Sequence, residues 1–140
     1  MALDHAELAW AAGFFDGEGS TFLNNRGARG RRWRPTVRLG IGQTDVRPLE
    51  RFKAAVGGLG TVRGPYGPYQ TSSYVMRTPR WQWDVQGIEL TQAVIAMLWK
   101  WLSPPKREQA ARALSAINEQ LDGWVDFRPL SLRHRKVPPT

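Results

Sequence analysis

Residues 11–19 read AAGFFDGEG and form the most informative segment of this 140-residue chain. Good helix formers precede the segment, and Asp4 followed three residues later by Glu7 has the spacing of an N-terminal capping box. Glycine is the residue that most often ends a helix. The pattern therefore predicts a helix that begins near Asp4 and is ended by Gly17 and Gly19.

Beyond this helix, strand-like and helix-like patterns alternate. In residues 33–44 and 80–86, apolar side chains occupy one parity and arginine, glutamine and threonine occupy much of the other, which is typical of strands with one buried face. Asp45 stands where a helix N-cap belongs, ahead of an apolar stripe that stops at Gly57. The full set of predictions is strands at 20–26, 33–44, 61–63 and 80–86 and helices at 4–15, 45–56, 89–102 and 106–121. The pattern does not decide whether residues 74–77 extend a strand.

The predicted fold is α+β, with an αββαββα order followed by one more helix. Residues 1–125 should form one domain, and residues 126–140 a basic, mobile tail. Because each strand has one apolar face, we expect a twisted antiparallel sheet with the helices packed on one side. The opposite face should be polar and basic.

The positive charge is concentrated in one part of the chain. Twenty basic residues against twelve acidic ones give a net charge of +8, and residues 19–83 alone contain twelve basic residues but only Asp45 and Glu50 as acids. Such segregation is the electrostatic footprint of a polyanionic partner. A GC-rich genome would explain the preference for arginine over lysine, but not its clustering.

The composition also argues against several classes of protein. The chain has no cysteine and only His5 and His134, which argues against disulfides, thiol catalysis and a histidine metal cluster. Its longest apolar stretch, around residues 93–102, is shorter than the ~20 residues that a membrane helix needs. The N-terminus lacks the pattern of a secretory leader, so we expect an intracellular, cytoplasmic protein without a membrane partner.

Segment 11–19 resembles the signature of the LAGLIDADG homing endonucleases, in the variant that ends Asp-Gly-Glu-Gly. Family-like features follow in register, namely Gln43-Thr44-Asp45 at a strand end, Gly57-Gly58-Leu59-Gly60 before the next strand, and Lys106-Arg107-Glu108-Gln109-Ala110 at the start of a late helix. The resemblance covers roughly residues 7–121. It implies a single-motif endonuclease that makes metal-dependent double-strand breaks in DNA, with a role in intron or intein mobility.

The resemblance also implies the parts of a catalytic centre. The Glu18 carboxylate and the Gly17 carbonyl would bind a hard divalent cation, Mg²⁺ or another such as Mn²⁺, or Ca²⁺ in a non-cleaving complex. Lys106 resembles the basic residue that relatives hold near the cleaved phosphate. Asp45 or Gln43 falls where a polar residue of relatives contacts the water network around the metal, although a plain N-cap also explains Asp45.

One copy of the signature implies a homodimer. Ala9 and Gly13 lie four residues apart on one helix face with Ala12 beside them, and small residues at this spacing let two helices approach closely. Asp16 is assigned by the resemblance to the same interface, with a structural hydrogen-bonding role. Two identical chains would present one surface to each half of a long, nearly palindromic DNA site. Alternatively, the small residues only ease packing within one chain.

The polar parity of the strands and their loops should bind double-stranded DNA, because arginine and glutamine can contact guanine and adenine in the major groove. The residues assigned to DNA binding are Asn24, Arg26, Arg29, Arg31, Arg32, Arg34, Arg38, Arg63, Arg77, Arg80 and Gln82. Trp33, Trp81 and Trp83 could be a base-stacking platform, but their parity favours the core. Two other readings of the chain stay open: a non-cleaving relative, such as a transcription regulator or RNA-splicing maturase, and an unrelated basic scaffold protein.

Overall fold

The structure, a computed structural model, describes residues 3–24 and 36–120. The predicted α+β fold and the predicted order of elements are confirmed, with a short hairpin added between the last two long strands. The elements are α1 (His5–Glu18), β1 (Gly19–Asn24), β2 (Thr36–Gln43), α2 (Val46–Ala55), β3 (Thr61–Tyr66), β4 (Tyr69–Gln70), β5 (Val75–Met76), β6 (Arg80–Gln86), α3 (Ile88–Leu98), a 3-10 turn (Trp99–Trp101) and α4 (Pro104–Gln120).

The four long strands form one antiparallel sheet in the order β1-β2-β6-β3. Alternate residues of β2, from Val37 through Leu39 to Ile41, are buried, and so are Trp83 and Val85 of β6. Because neighbouring side chains of a strand point to opposite faces, the polar residues between them share the other face. The predicted two-faced sheet is therefore present.

The helices cover the apolar face and build the core. Phe15 of α1 and Phe52 of α2 are fully buried, and the Phe52 ring meets Trp83 edge-on with centroids 4.6 Å apart. Trp83 also donates a hydrogen bond from its indole Nε1 to the Leu59 carbonyl oxygen, at 3.1 Å. The core assignment of Trp83 is confirmed, while half-buried Trp81 packs against the core.

Three expectations about α1 need correction. Asp4 caps the helix as predicted, with its Oδ1 accepting from the backbone N–H of Ala6 and Glu7, but the Glu7 carboxylate accepts two hydrogen bonds from Arg51 of α2 instead. The second correction concerns Ala12, whose side chain is fully buried in the core of this chain and is therefore not available to a partner helix. The helix also continues through Gly17, which was expected to help end it.

Several sequence predictions concern residues outside 3–24 and 36–120. They are the turn at 27–30, the beginning of the second strand with Trp33, the assignments of Arg26, Arg29, Arg31, Arg32 and Arg34 to DNA binding, and the tail at 126–140. Across the described parts of the chain, every helix is too short or too polar to cross a membrane.

Two glycines before β3 allow a matched test of the packing around Trp83. Gly60 has φ +93°, and a Cβ atom there would lie 2.4 Å from Trp83 Nε1 and 2.9 Å from the Asp84 carbonyl oxygen, whereas Gly58 has φ +83° with open space around it. We expect Gly60→Ala to lower the free energy of unfolding by roughly 2–5 kcal/mol, from backbone strain and overpacking together. Gly58→Ala should lower it by only about 1–2 kcal/mol, from strain alone.

Urea unfolding of both variants measures the difference directly. Equal losses would contradict the close packing of Gly60 against the Trp83 ring.

Candidate nucleic-acid interface

The open face of the sheet is the face turned away from the helices. The strand register brings together on this face Ser20 and Phe22 of β1, Arg38, Gly40 and Gly42 of β2, Arg80, Gln82 and Asp84 of β6, and Arg63 of β3. Four of the residues assigned from sequence to DNA binding, Arg38, Arg63, Arg80 and Gln82, therefore share one surface. Asp84 lies on this face too, so the face is not purely basic.

The remaining described candidates lie at the margins of this face. Arg77 is exposed in the link between β5 and β6, and Asn24 ends β1, where it pairs with Thr36. The hairpin β4–β5 lies beside the open face and bounds a groove of about 480 Å³. The groove is lined by Glu18, Ser20, Phe22, Gly40, Ile41, Gly42, Tyr66, Tyr69, Met76, Arg80, Trp81 and Gln82.

Glu18 reaches this groove because α1 passes into β1 without a loop. Glu18 is the last residue of the helix and Gly19 the first of the strand, and the Gly19 N–H still donates to the Phe15 carbonyl oxygen. A Cβ at position 19 would lie 2.3 Å from the Phe15 ring, so only glycine fits beside that buried side chain. Glu18 itself is exposed, and its carboxylate takes part in none of the hydrogen bonds or ion pairs between described residues.

The beginning of α4 and the residue before it contact both sides of the junction between α1 and β1. On the α1 side, the Asp16 carboxylate accepts hydrogen bonds from the backbone N–H and the hydroxyl of Ser103, which precedes α4, at 3.0–3.1 Å. On the β1 side, Lys106 Nζ donates to the Gly19 carbonyl oxygen, and Gln109 Oε1 accepts from the Thr21 N–H at 3.3 Å. Lys106 is thus next to the residue that follows Glu18, while Asp16 has the hydrogen-bonding role expected of it but within its own chain.

Gln109 was missed as part of the site. β1 is an edge strand of the sheet, so the backbone groups on its outer side need partners that no strand supplies. Lys106 and Gln109 lie one turn apart on α4 and provide two of those partners. Their spacing could have suggested Gln109, but only once β1 was known to be an edge strand beside α4.

Asp45 has a structural role at the start of α2. Its carboxylate accepts from the Arg47 N–H at 3.0 Å and forms a two-pronged ion pair with the Arg47 guanidinium. These bonds to Arg47 lower the pKa of Asp45 to about 2. Gln43 is the last residue of β2, opposite Trp81 of β6.

One face of α1 is exposed and consists of small residues. Gly13 and Gly17 are exposed, Ala9 is partly exposed, and a Cβ at either glycine would meet nothing within 4 Å. This face includes two of the residues assigned from sequence to a dimer interface, Ala9 and Gly13. It leads directly to Glu18 at the end of the helix.

The described residues of one chain offer few side chains that could bind a metal ion together. No three His, Cys, Asp or Glu side chains within 3–24 and 36–120 come together as a metal-binding group. The Glu18 carboxylate and the Gly17 carbonyl are hard oxygen donors, the type that Mg²⁺ and Ca²⁺ prefer, but Mg²⁺ takes six ligands. The donor chemistry of this junction fits such a cation, although these two oxygens would fill only two of its six positions.

The fold is that of solved homing endonucleases. The structure superposes on homing endonuclease I-CvuI in complex with the I-CreI target with a TM-score of 0.59 and 25% identity, over 81% of this chain and 66% of that one. For homing endonuclease I-TnaI the TM-score is 0.62, with 19% identity over 88% of this chain and 77% of that one. For the group I intron-encoded endonuclease I-CeuI complexed with DNA, the TM-score is 0.63, with 15% identity over 88% of this chain and 58% of that one.

These likenesses are structural, at low sequence identity. No protein-family model matches the sequence. None of the curated proteins compared with it matches either.

The Asp45–Arg47 pair leads to a pH prediction. Because the folded-state pKa of Asp45 is depressed, the pair stabilises the protein fully above about pH 4, and this stabilisation is lost as the pH falls towards 2. Asp45→Asn should therefore differ most from the unmodified chain in urea-unfolding midpoint at pH 5–7, and the difference should shrink between pH 4 and 2.

Arg47→Met serves as the control, because it removes the partner and leaves the capping carboxylate. It should reduce the pH dependence without abolishing it, because the backbone N–H of residue 47 still donates to the Asp45 carboxylate. A variant that kept the dependence would show that Arg47 is not its cause.

Proposed function

We propose that this chain is one subunit of a LAGLIDADG-type homing endonuclease, which cuts duplex DNA at a long, nearly palindromic site as a homodimer. The observation that carries the proposal is the position of Glu18. An exposed carboxylate, at the end of a small-faced helix, lines the same groove as Arg80 and Gln82 of the open sheet face. A role in intron or intein mobility belongs to the same proposal.

The open face has the chemistry to bind DNA. Arginine and glutamine side chains at strand spacing can reach base edges in the major groove and phosphates at its rim. A twisted antiparallel ribbon has a shape that the groove accepts. Solved structures of I-CvuI and I-CeuI in complex with DNA have this fold, which supports DNA binding by this chain.

Glu18 would supply the acidic ligand at the cleaved phosphodiester, together with the Gly17 carbonyl. A bound Mg²⁺ would act there as a Lewis acid that offsets the negative charge developing on the phosphate. Lys106 has three N–H donors, of which one is used on the Gly19 carbonyl oxygen. The others could bind a phosphate oxygen beside Glu18, while Asp45 is engaged by Arg47 and is not needed for the reaction.

The exposed face of α1 supports a dimer. Two copies paired through Ala9 and Gly13 would bring both Glu18 carboxylates close to the two-fold axis. Each centre would then combine ligands from protein and DNA, which accounts for the small number of ligands among the described residues of one chain. Ala12 has no part in this contact, because it is buried.

The cleavage part of the proposal is tested with Glu18→Gln. With Mg²⁺ and a randomised duplex library from which cleaved molecules are recovered, the unmodified chain should enrich a near-palindromic site. Glu18→Gln should cut that site at least about 100-fold more slowly, since several kcal/mol of charge stabilisation are lost, and should still bind it.

Glu50→Gln, at an exposed position on α2, is the matched control and should cleave normally. Cleavage by Glu18→Gln at the unmodified rate would refute its catalytic role. Specific binding by every variant with cleavage by none would favour the non-cleaving regulator or maturase.

The dimer part is tested with Gly13→Leu. The substitution places a bulky side chain on the exposed face of α1 and favours the helix by up to about 1 kcal/mol, so the monomer should fold at least as well. We expect the unmodified chain to sediment as a dimer and Gly13→Leu as a monomer without cleavage activity.

Ala54→Leu places the same side chain on the exposed surface of α2 and should leave the dimer intact. A dimeric, active Gly13→Leu variant would contradict the proposed interface.

A further inference from the structure

An exposed phenylalanine lies on the otherwise polar open face of the sheet. Phe22 of β1 is 43% exposed, and its register partner across the sheet is Arg38 of β2. The Arg38 guanidinium carbon lies 4.4 Å from the centroid of the Phe22 ring. This distance is within the range of a cation–π contact, so the ring packs against the guanidinium and restricts where it can lie.

Gly40 provides the space for this pair. It follows Arg38 on the same face, and a Cβ there would lie 3.2 Å from Arg38 Nη1, 3.3 Å from Phe22 Cε2 and 3.7 Å from Gln82 Nε2. Even alanine would press on both stacked groups. Because Gly40 has no side chain, Arg38 and Phe22 can pack directly against the backbone of β2.

The stack leaves the hydrogen-bonding edge of the guanidinium available. Arg38 takes part in no ion pair or hydrogen bond with another described side chain. Among the described residues, none accepts a hydrogen bond from the Arg38 guanidinium, so these N–H groups can donate to a ligand. Because the ring already restricts the Arg38 side chain, binding would remove less of its rotamer freedom.

A held guanidinium suits a base edge better than a phosphate. Guanine presents O6 and N7 side by side in the major groove, and an arginine in the right plane donates to both. A phosphate offers oxygens in several directions, and flexible surface arginines bind it without a stacking partner. A phenylalanine with no polar atom is best explained as the support that fixes this plane.

We propose that Arg38 reads one guanine in each half-site and that Phe22, supported by the space at Gly40, is the residue that positions it. The inference rests on the proposed function, because it names the base that one residue of the open face would recognise. Phe22 acts through Arg38, and its removal should change the preference at one base pair.

The experiment measures binding of the full chain to duplex DNA in Ca²⁺. A random duplex library is enriched by binding, and the enriched site is then prepared with single changes at each guanine. Inosine keeps the major-groove O6 and N7 and alters only the minor groove, whereas 7-deazaguanine lacks N7. At one guanine per half-site, inosine should bind as well as guanine, and 7-deazaguanine or adenine should weaken binding at least about fivefold.

The variants assign this preference to the stacked pair. Arg38→Lys keeps the charge but not the planar, two-pronged edge, so its preference for guanine over 7-deazaguanine should be clearly smaller than that of the unmodified chain. Phe22→Leu and Gly40→Ala should reduce the discrimination, and Phe22→Tyr, which keeps the ring, should retain it. Arg112→Lys, on the exposed surface of α4, is the matched control for replacing an arginine and should change nothing.

Each alternative role gives a different result. If Arg38→Met weakens binding equally for all sequences and lowers the salt dependence, Arg38 contacts a phosphate and the proposal is wrong. If Phe22→Leu weakens binding at every position while Arg38→Lys keeps the guanine preference, the ring contacts DNA itself, and the positioning role is wrong. Urea unfolding confirms that each variant is folded.

The two proposals fail in distinguishable ways. An unmodified chain that enriches no duplex sequence overturns the proposed function and this inference with it. A chain that enriches and cleaves a site, but shows no guanine whose N7 matters to Arg38, overturns only the inference.

Discussion

The site depends on a helix that becomes a strand within one peptide bond. The chain can make this transition because Gly19 has no side chain where the Phe15 ring lies, and because its N–H still completes the helix. Glu18 is therefore fixed by the backbone on both sides, a helix in the core before it and a sheet strand after it. A carboxylate on a flexible loop would lose side-chain and backbone freedom on binding a cation, and this one has already lost the backbone part.

The same junction depends on a helix far along the chain. Asp16 contacts Ser103 and Gly19 contacts Lys106, in each case across 87 residues of sequence. The beginning of α4 therefore helps to position Glu18, which lies between Asp16 and Gly19, and it also places Lys106 close to Glu18. A change in the packing of α4 would move both groups together, so stability and activity should be hard to separate at these positions.

The sequence predicted the elements whose signals are local. The alternation of apolar and polar residues predicted both ends of β6 correctly and most of β2. The capping aspartates marked the first turns of α1 and α2. The Asp-Gly-Glu-Gly ending of the signature pointed to the junction at Glu18. The parity of Trp83 correctly placed it in the core.

The features that were missed all depend on which elements become neighbours. Ala12 is buried because α1 packs more closely on its own core than its small residues indicated, and the Glu7 carboxylate turns to Arg51 because α2 lies beside it. Gln109 and the stacked pair of Phe22 and Arg38 depend likewise on contacts between elements distant in sequence. The hairpin β4–β5 has strands of only two residues each, too short for alternation to reveal.

The two sides of α1 would couple assembly to chemistry if the chain works as the proposed dimeric nuclease. One side is committed to the core through Ala12 and Phe15, and the other exposes Gly13 and then ends at Glu18. A partner helix that covers the exposed side must come close to the acidic residue, because both are on the same short helix. Among the described residues that line the groove, Glu18 is the only one with a carboxylate, and a magnesium ion takes six ligands. If a second chain and the DNA supply the rest, a free subunit would be a poor nuclease, and its activity would depend on binding a matched pair of half-sites.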